Sequence, residues 1–99
     1  MSNAQVHFYQ FVDQVQDAFD GIVDAGSDQQ LFVSGYLSGH FSLAVAECEK
    51  AQTLVADALQ QHMQASLDAA FDKGELVSTD AQEVQALWDT LFADYPNAA

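Results

Sequence analysis

Apolar positions along the chain recur with the period of an α-helix in four blocks, and no stretch alternates with period two long enough to predict a strand. In the first block Phe8, Phe11, Val12, Val15, Phe19, Ile22 and Val23 fall within an arc of about 120° on a helical wheel. Asp13, Asp17, Asp20 and Asp24 occupy about 60° on the far side. This predicts an amphipathic helix over 6–24, ended by Ala25-Gly26 with Gly26 in the left-handed conformation. Ser27-Asp28-Gln29-Gln30 reads as a capping box. Ser27 accepts from the third amide, Gln30 reaches back, and Asp28 favours the positive end of the dipole. A second helix is predicted over 28–48.

Its end is marked by neither Gly nor Pro and is inferred from length. A helix from Ser27 to Asp72 would be about 69 Å long, too long for so small a domain. Thr53 is the expected N-cap of a third helix over 54–72, whose apolar face is Val55, Leu59, Met63, Leu67, Ala70 and Phe71. Lys73 suits its C-terminal dipole and Gly74 supplies the stop. Ser78 or Thr79 is expected to cap a fourth helix over 79–95, with Val84, Leu87, Trp88, Leu91, Phe92 and Tyr95 inward and Pro96 as terminator. Short connections favour antiparallel neighbours, so the expected fold is all-α: a compact four-helix bundle with a central, largely apolar second helix, forming one domain over 5–96. Ser2-Asn3-Ala4 resembles the remnant of an expression tag, so residues 1–4 are expected to stand outside the domain or to be disordered.

Charge narrows the function classes. Of 99 residues, 15 are Asp or Glu and two are lysines, Lys50 and Lys73, giving a net charge of −13. With no arginine and no basic patch, nucleic acid and anionic membranes are excluded as partners. With 49% hydrophobic residues the chain is a folded domain and no acidic tail. Cys48 is the sole cysteine, which forbids an intrachain disulfide and reads as a small core side chain. With no basic leader and no long apolar run, the expected location is the cytoplasm.

The second helix stands apart. No carboxylate or lysine lies between Asp28 and Glu47, and large apolar residues cover more than half its circumference. The remaining arc is a small-residue stripe including Gly35, Gly39 and Ser42. Two interior glycines cost about 1 kcal/mol each relative to alanine. The stripe is therefore read as a surface for close approach, either of a backbone within the bundle or of a partner at a homodimer seam or docking groove. Tyr36, His40 and Glu47 lie within about 40° of one another. They form either a core boundary or a small polar face for a ligand or partner, with His40 as its acid/base member.

Other chemistry is lacking in the pattern. There is no His-Glu-x-x-His, no Glu three residues before a histidine, no phosphate loop and no nucleophile elbow. The acidic stripe lies on one convex face and cannot converge on a cation. No catalytic residue, cofactor or metal ligand is assigned.

Ser27-Asp28-Gln29-Gln30-Leu31-Phe32-Val33-Ser34-Gly35-Tyr36-Leu37-Ser38-Gly39-His40, continuing through Leu43-Ala44 to Ala46-Glu47, resembles the central signature of the YfcL family of small bacterial proteins. Gly74-Glu75-Leu76 and Trp88, Leu91 and Phe92 are similar to its second half. The resemblance implies a small soluble cytosolic protein and no particular activity. Members often carry a basic residue between Leu37 and Gly39. Here it is Ser38, which argues against anion binding on this face. The expected function is a non-catalytic interaction module or regulator with a protein partner or a second copy. The alternative is a small-ligand or metal-dependent activity centred on His40. Nucleic-acid mimicry toward a basic partner is permitted by the charge, but solubility accounts for that charge more simply.

Overall fold

The computed structural model describes residues 2–98. Four helices follow in order: α1 Asn3–Ala25, α2 Asp28–Ala51, α3 Ala56–Asp72 and α4 Ser78–Ala93, with a terminal 3-10 turn, Tyr95–Asn97. No strand occurs among the described residues. The expected all-α bundle is the observed one. Its centre is α2, which packs against α1, α3 and α4.

The ends of the helices depart from expectation in instructive ways. α1 begins earlier: Asn3 and Ala4 are helical, and Ser2 forms a capping box with Gln5. Residues 2–4 thus continue the domain, and Met1 lies outside the described residues. Gly26 is extended (φ −80°, ψ 159°), not left-handed. Glycine is required there for space, since a Cβ would come within 2.5 Å of the Ile22 carbonyl oxygen. The Ser27–Gln30 capping box forms as expected.

α2 runs three residues beyond its expected end and stops at Gln52, which is left-handed at φ 58°. The Thr53 amide donates to the Cys48 carbonyl at 2.9 Å and the Gln52 amide to that of Glu49 at 3.1 Å. This pairing is a Schellman motif built on glutamine. Thr53 is consumed by it and does not cap α3. Val55 stands at that N-cap, with no side-chain hydrogen bond. The same motif ends α3: Glu75 donates to Ala70, Gly74 to Phe71, and Gly74 carries the positive φ of 71°. α4 is likewise entered without a side-chain cap, from Val77, and Ser78 is its first residue. Tyr95 leaves the α-helical path and joins the 3-10 turn with Pro96.

Phe8, Phe11, Val15, Leu37, Phe41, Cys48, Leu59, Met63, Leu67, Val84 and Trp88 are fully buried. Phe11 packs against Tyr95 at a ring separation of 4.6 Å and edge-on to Phe41, Trp88 and Phe92, tying α1, α2, α4 and the terminal turn together. The buried Trp88 Nε1 donates to Gln60 Oε1 of α3 at 2.7 Å. Val23, expected on the inner face, is 64% exposed and Val55 lies outside α3. All four aspartates of the α1 stripe face solvent.

The two Schellman positions yield a matched prediction. Gly74→Ala puts a Cβ on a left-handed residue and should cost about 1 kcal/mol, lowering Tm by about 4–8 °C. Gln52→Gly relieves the same strain against a smaller entropic cost and should gain about 0.5 kcal/mol. Thermal melts of both variants monitored at 222 nm check the opposite signs.

Candidate functional site

The second helix presents two different surfaces. Its inner side is set by Val33, Ser34, Leu37, Phe41, Ala44 and Cys48, all buried. Because these residues repeat at helical spacing, they fix the rotation of the helix and so determine what faces outward.

At the border of the core, Tyr36 and His40 stack at a ring separation of 4.8 Å. The Tyr36 hydroxyl donates to Glu75 Oε1 at 2.8 Å, and His40 Nδ1 shares a hydrogen bond with Ser66 Oγ at 2.5 Å. These two side chains therefore pin α2 to the α3–α4 connector and to α3. Burial, then the hydrogen bond and charge of Glu75, push the Tyr36 pKa up to about 12. Glu47 takes no part. It is exposed and joins neither hydrogen bond, so the structure brings together two of the three residues of the expected polar face. Ser66 and Glu75 replace it. They lie 26 and 39 residues from their partners, beyond the reach of a pattern read within one helix.

Among the described residues no three His, Cys, Asp or Glu side chains gather as a metal set. One surface groove of about 660 Å³ lies between α1, α2 and α4, lined by Ile22, Gln29, Val33, Glu83 and Leu87 among others. A second of about 490 Å³ lies between α1 and α4 at Gln14, Ala18, Leu91 and Asp94. Neither is lined by Tyr36 or His40. Cys48 is wholly buried, and burial followed by the charges of Glu47 and Glu49 raises its thiol pKa, as suits an inert core side chain.

The outer side carries the small-residue stripe. Gly35, Gly39 and Ser42 are exposed. A Cβ at Gly35 or Gly39 would meet nothing within 4 Å. The reading that these glycines admit another backbone of the same chain is therefore corrected: no part of the bundle approaches them, because the inner face of α2 already satisfies α1, α3 and α4. Phe32, 46% exposed, and Leu43, 63% exposed, flank the glycines on the same side. The helical period sets both within about 40° of Gly39, opposite the buried Leu37, Phe41 and Cys48. No helix among the described residues is long and apolar enough to cross a membrane.

The Tyr36–Glu75 contact makes a pH prediction. The fold favours the neutral phenol, so this contribution is complete below the ordinary tyrosine value of 10.0 and is lost as pH rises through about 12. Glu75→Gln removes the charge and should move the Tyr36 midpoint down, while Tyr36→Phe should delete that transition. Spectrophotometric titration at 295 nm over pH 9–13, with circular dichroism as a fold control, checks both.

Comparison with known proteins places this chain in a family. The family model described as YfcL protein matches residues 9–93. A relative from Escherichia coli (strain K12), carried under the name Uncharacterized protein YfcL, is 40% identical over 83 residues, covering 84% of this chain and 90% of the relative. No solved structure matches. The match runs from within α1 to the end of α4 and includes both glycines of the α2 stripe and the Tyr36–His40 pair, and the chain belongs to the YfcL family.

Proposed function

We propose that this protein is a non-catalytic interaction module of the cytoplasm, which docks a protein partner on the outward face of α2. The observation that carries this reading is the exposure of Phe32 and Leu43 beside two glycines that nothing in the chain covers. Large exposed apolar side chains are individually ordinary. Here they share one face with helix-weakening glycines that serve no packing purpose inside the bundle. In a chain of net charge −13, this face also has no carboxylate from Gln29 to Ala46. Depletion of charge with retention of aromatic and aliphatic side chains is the composition of an interface core. The polar groups nearest to it, Tyr36 and His40, are spent on Glu75 and Ser66, which suits a support for the helix better than a reaction centre.

The reading is tested by placing a photo-cross-linking amino acid at position 39 or 43 and, as control, at exposed Asp17, in the native host. Discrete adducts from 39 and 43 that are absent from 17 are the expected result. A uniform smear, or no adduct at any site, overturns it.

A further inference from the structure

Resting on the reading of α2 as a docking face, we infer that its occupant is a second copy of this chain, packed antiparallel across a twofold axis through Gly39. The argument is one of self-complementarity. Asp28, Phe32, Gly35, Leu43, Ala46 and Lys50 all lie within about 40° of Gly39 around the helix, and all are exposed. In an antiparallel pair with Gly39 on the axis, the position numbers of facing residues add to a constant, so each residue meets a defined counterpart. Asp28 comes level with Lys50 of the second copy, Phe32 with Ala46, and Leu43 with Gly35. Gly39 faces its own equivalent.

Every large side chain thus meets a small one, and opposite charges meet at both ends of the seam. Asp28 and Lys50 are the first charged residues reached on this face in either direction from Gly39, and they are equally far from it. The seam between them is about 33 Å long, most of the 40 Å length of the molecule. Gly39 at the crossing and Gly35 beside Leu43 let the two backbones approach closely, as small residues do wherever helices cross at short range. A parallel pairing has none of these properties. It sets Asp28 against Asp28, Phe32 against Phe32 and Leu43 against Leu43. A basic partner is also disfavoured, because the face offers such a partner a single carboxylate, at one end.

Sedimentation equilibrium of the purified chain and disulfide trapping test the inference. The chain should sediment as a concentration-dependent dimer, and Gly39→Leu should weaken association at least about tenfold in Kd without loss of helicity. Gly39→Cys should oxidise to a covalent dimer. Gly35→Cys with Leu43→Cys should do so as well, whereas Gly35→Cys alone should not. The native Cys48, being buried, does not compete. Asp28→Lys and Lys50→Asp should each weaken the dimer, and the two together should restore it. A monomer at all concentrations overturns the inference. A dimer trapped by Gly35→Cys alone, or one not restored by the charge exchange, overturns the antiparallel register. Adducts from positions 39 and 43 to a different protein, with a monomeric purified chain, would sink the inference and leave the docking reading intact. Loss of adducts altogether would remove both.

Discussion

Fifteen carboxylates set against two lysines are the constraint from which the architecture follows. A buried carboxylate must be neutralised or fully hydrogen-bonded, and this chain has almost no cations with which to do it. Every acid must therefore remain within reach of water, and the buried faces are drawn from positions without acids. Residues 29–46 carry none, and it is the inner side of this stretch, Val33 to Ala44, that α2 turns toward the other three helices. The same shortage explains how the helices are tied together at the surface. Neutral donors take the place of lysine and arginine: Gln14 donates to Asp94, Gln29 to Asp80 and Glu83, Tyr9 to Glu49 and Tyr36 to Glu75. Between α3 and α4, Gln64 and Gln85 exchange amide hydrogen bonds while each also donates to an aspartate one turn on, Asp68 and Asp89.

Where a structural signal is local, it could be read from the residues. The Ser27–Gln30 box needs only residues three apart, and the acidic stripe of α1 and the inner face of α4 need only the helical period. What escaped was decided by partners far along the chain or by backbone conformations that residue type does not announce. Gln52 takes a left-handed C-terminal position usually given to glycine, which draws Thr53 into the end of α2 and away from the N-cap its residue type suggests. Val55 and Val77 stand at N-caps with no side-chain hydrogen bond, so no residue type marks where α3 and α4 begin. Half of the candidate site was legible: Tyr36 and His40 do sit together, and the glycine stripe is continuous. Glu47 shares their angular position but stands two turns beyond His40, on the same face without direct contact. Angle without height along the helix does not make a contact, and Ser66 and Glu75 could be supplied only by the fold.

Those missed partners also account for how the outer face is held. Phe41 and Leu37 anchor α2 from within, but an apolar core tolerates some rotation of a helix about its axis. Tyr36 and His40 reach Glu75 and Ser66 through directional hydrogen bonds on one flank, and Tyr9 of α1 reaches Glu49 near the C-terminal end of α2. Hydrogen bonds are far more sensitive to angle than hydrophobic contact is. Together they reinforce the rotation that the buried face sets, which leaves Gly35 and Gly39 outward. The polar pair and the glycine stripe, distinct when read from residue type, are two parts of one arrangement: the first helps hold the helix as its buried face sets it, and the second is what that orientation presents.

The charge then acts a second time, between molecules. Two bodies of net charge −13 repel at any orientation that brings acidic surfaces within a screening length, about 8 Å at physiological ionic strength. The α1 stripe, with four exposed aspartates on successive turns, makes such an orientation costly. The α2 face escapes this penalty from Gln29 to Ala46 and meets it at the ends, where Lys50 opposes Asp28 with the exposed Glu47 and Glu49 beside it. Acidity that keeps most of the surface apart from copies of itself thereby leaves one face on which approach costs little. A contact confined to that face gains its specificity from what the rest of the surface forbids as much as from the side chains it brings together.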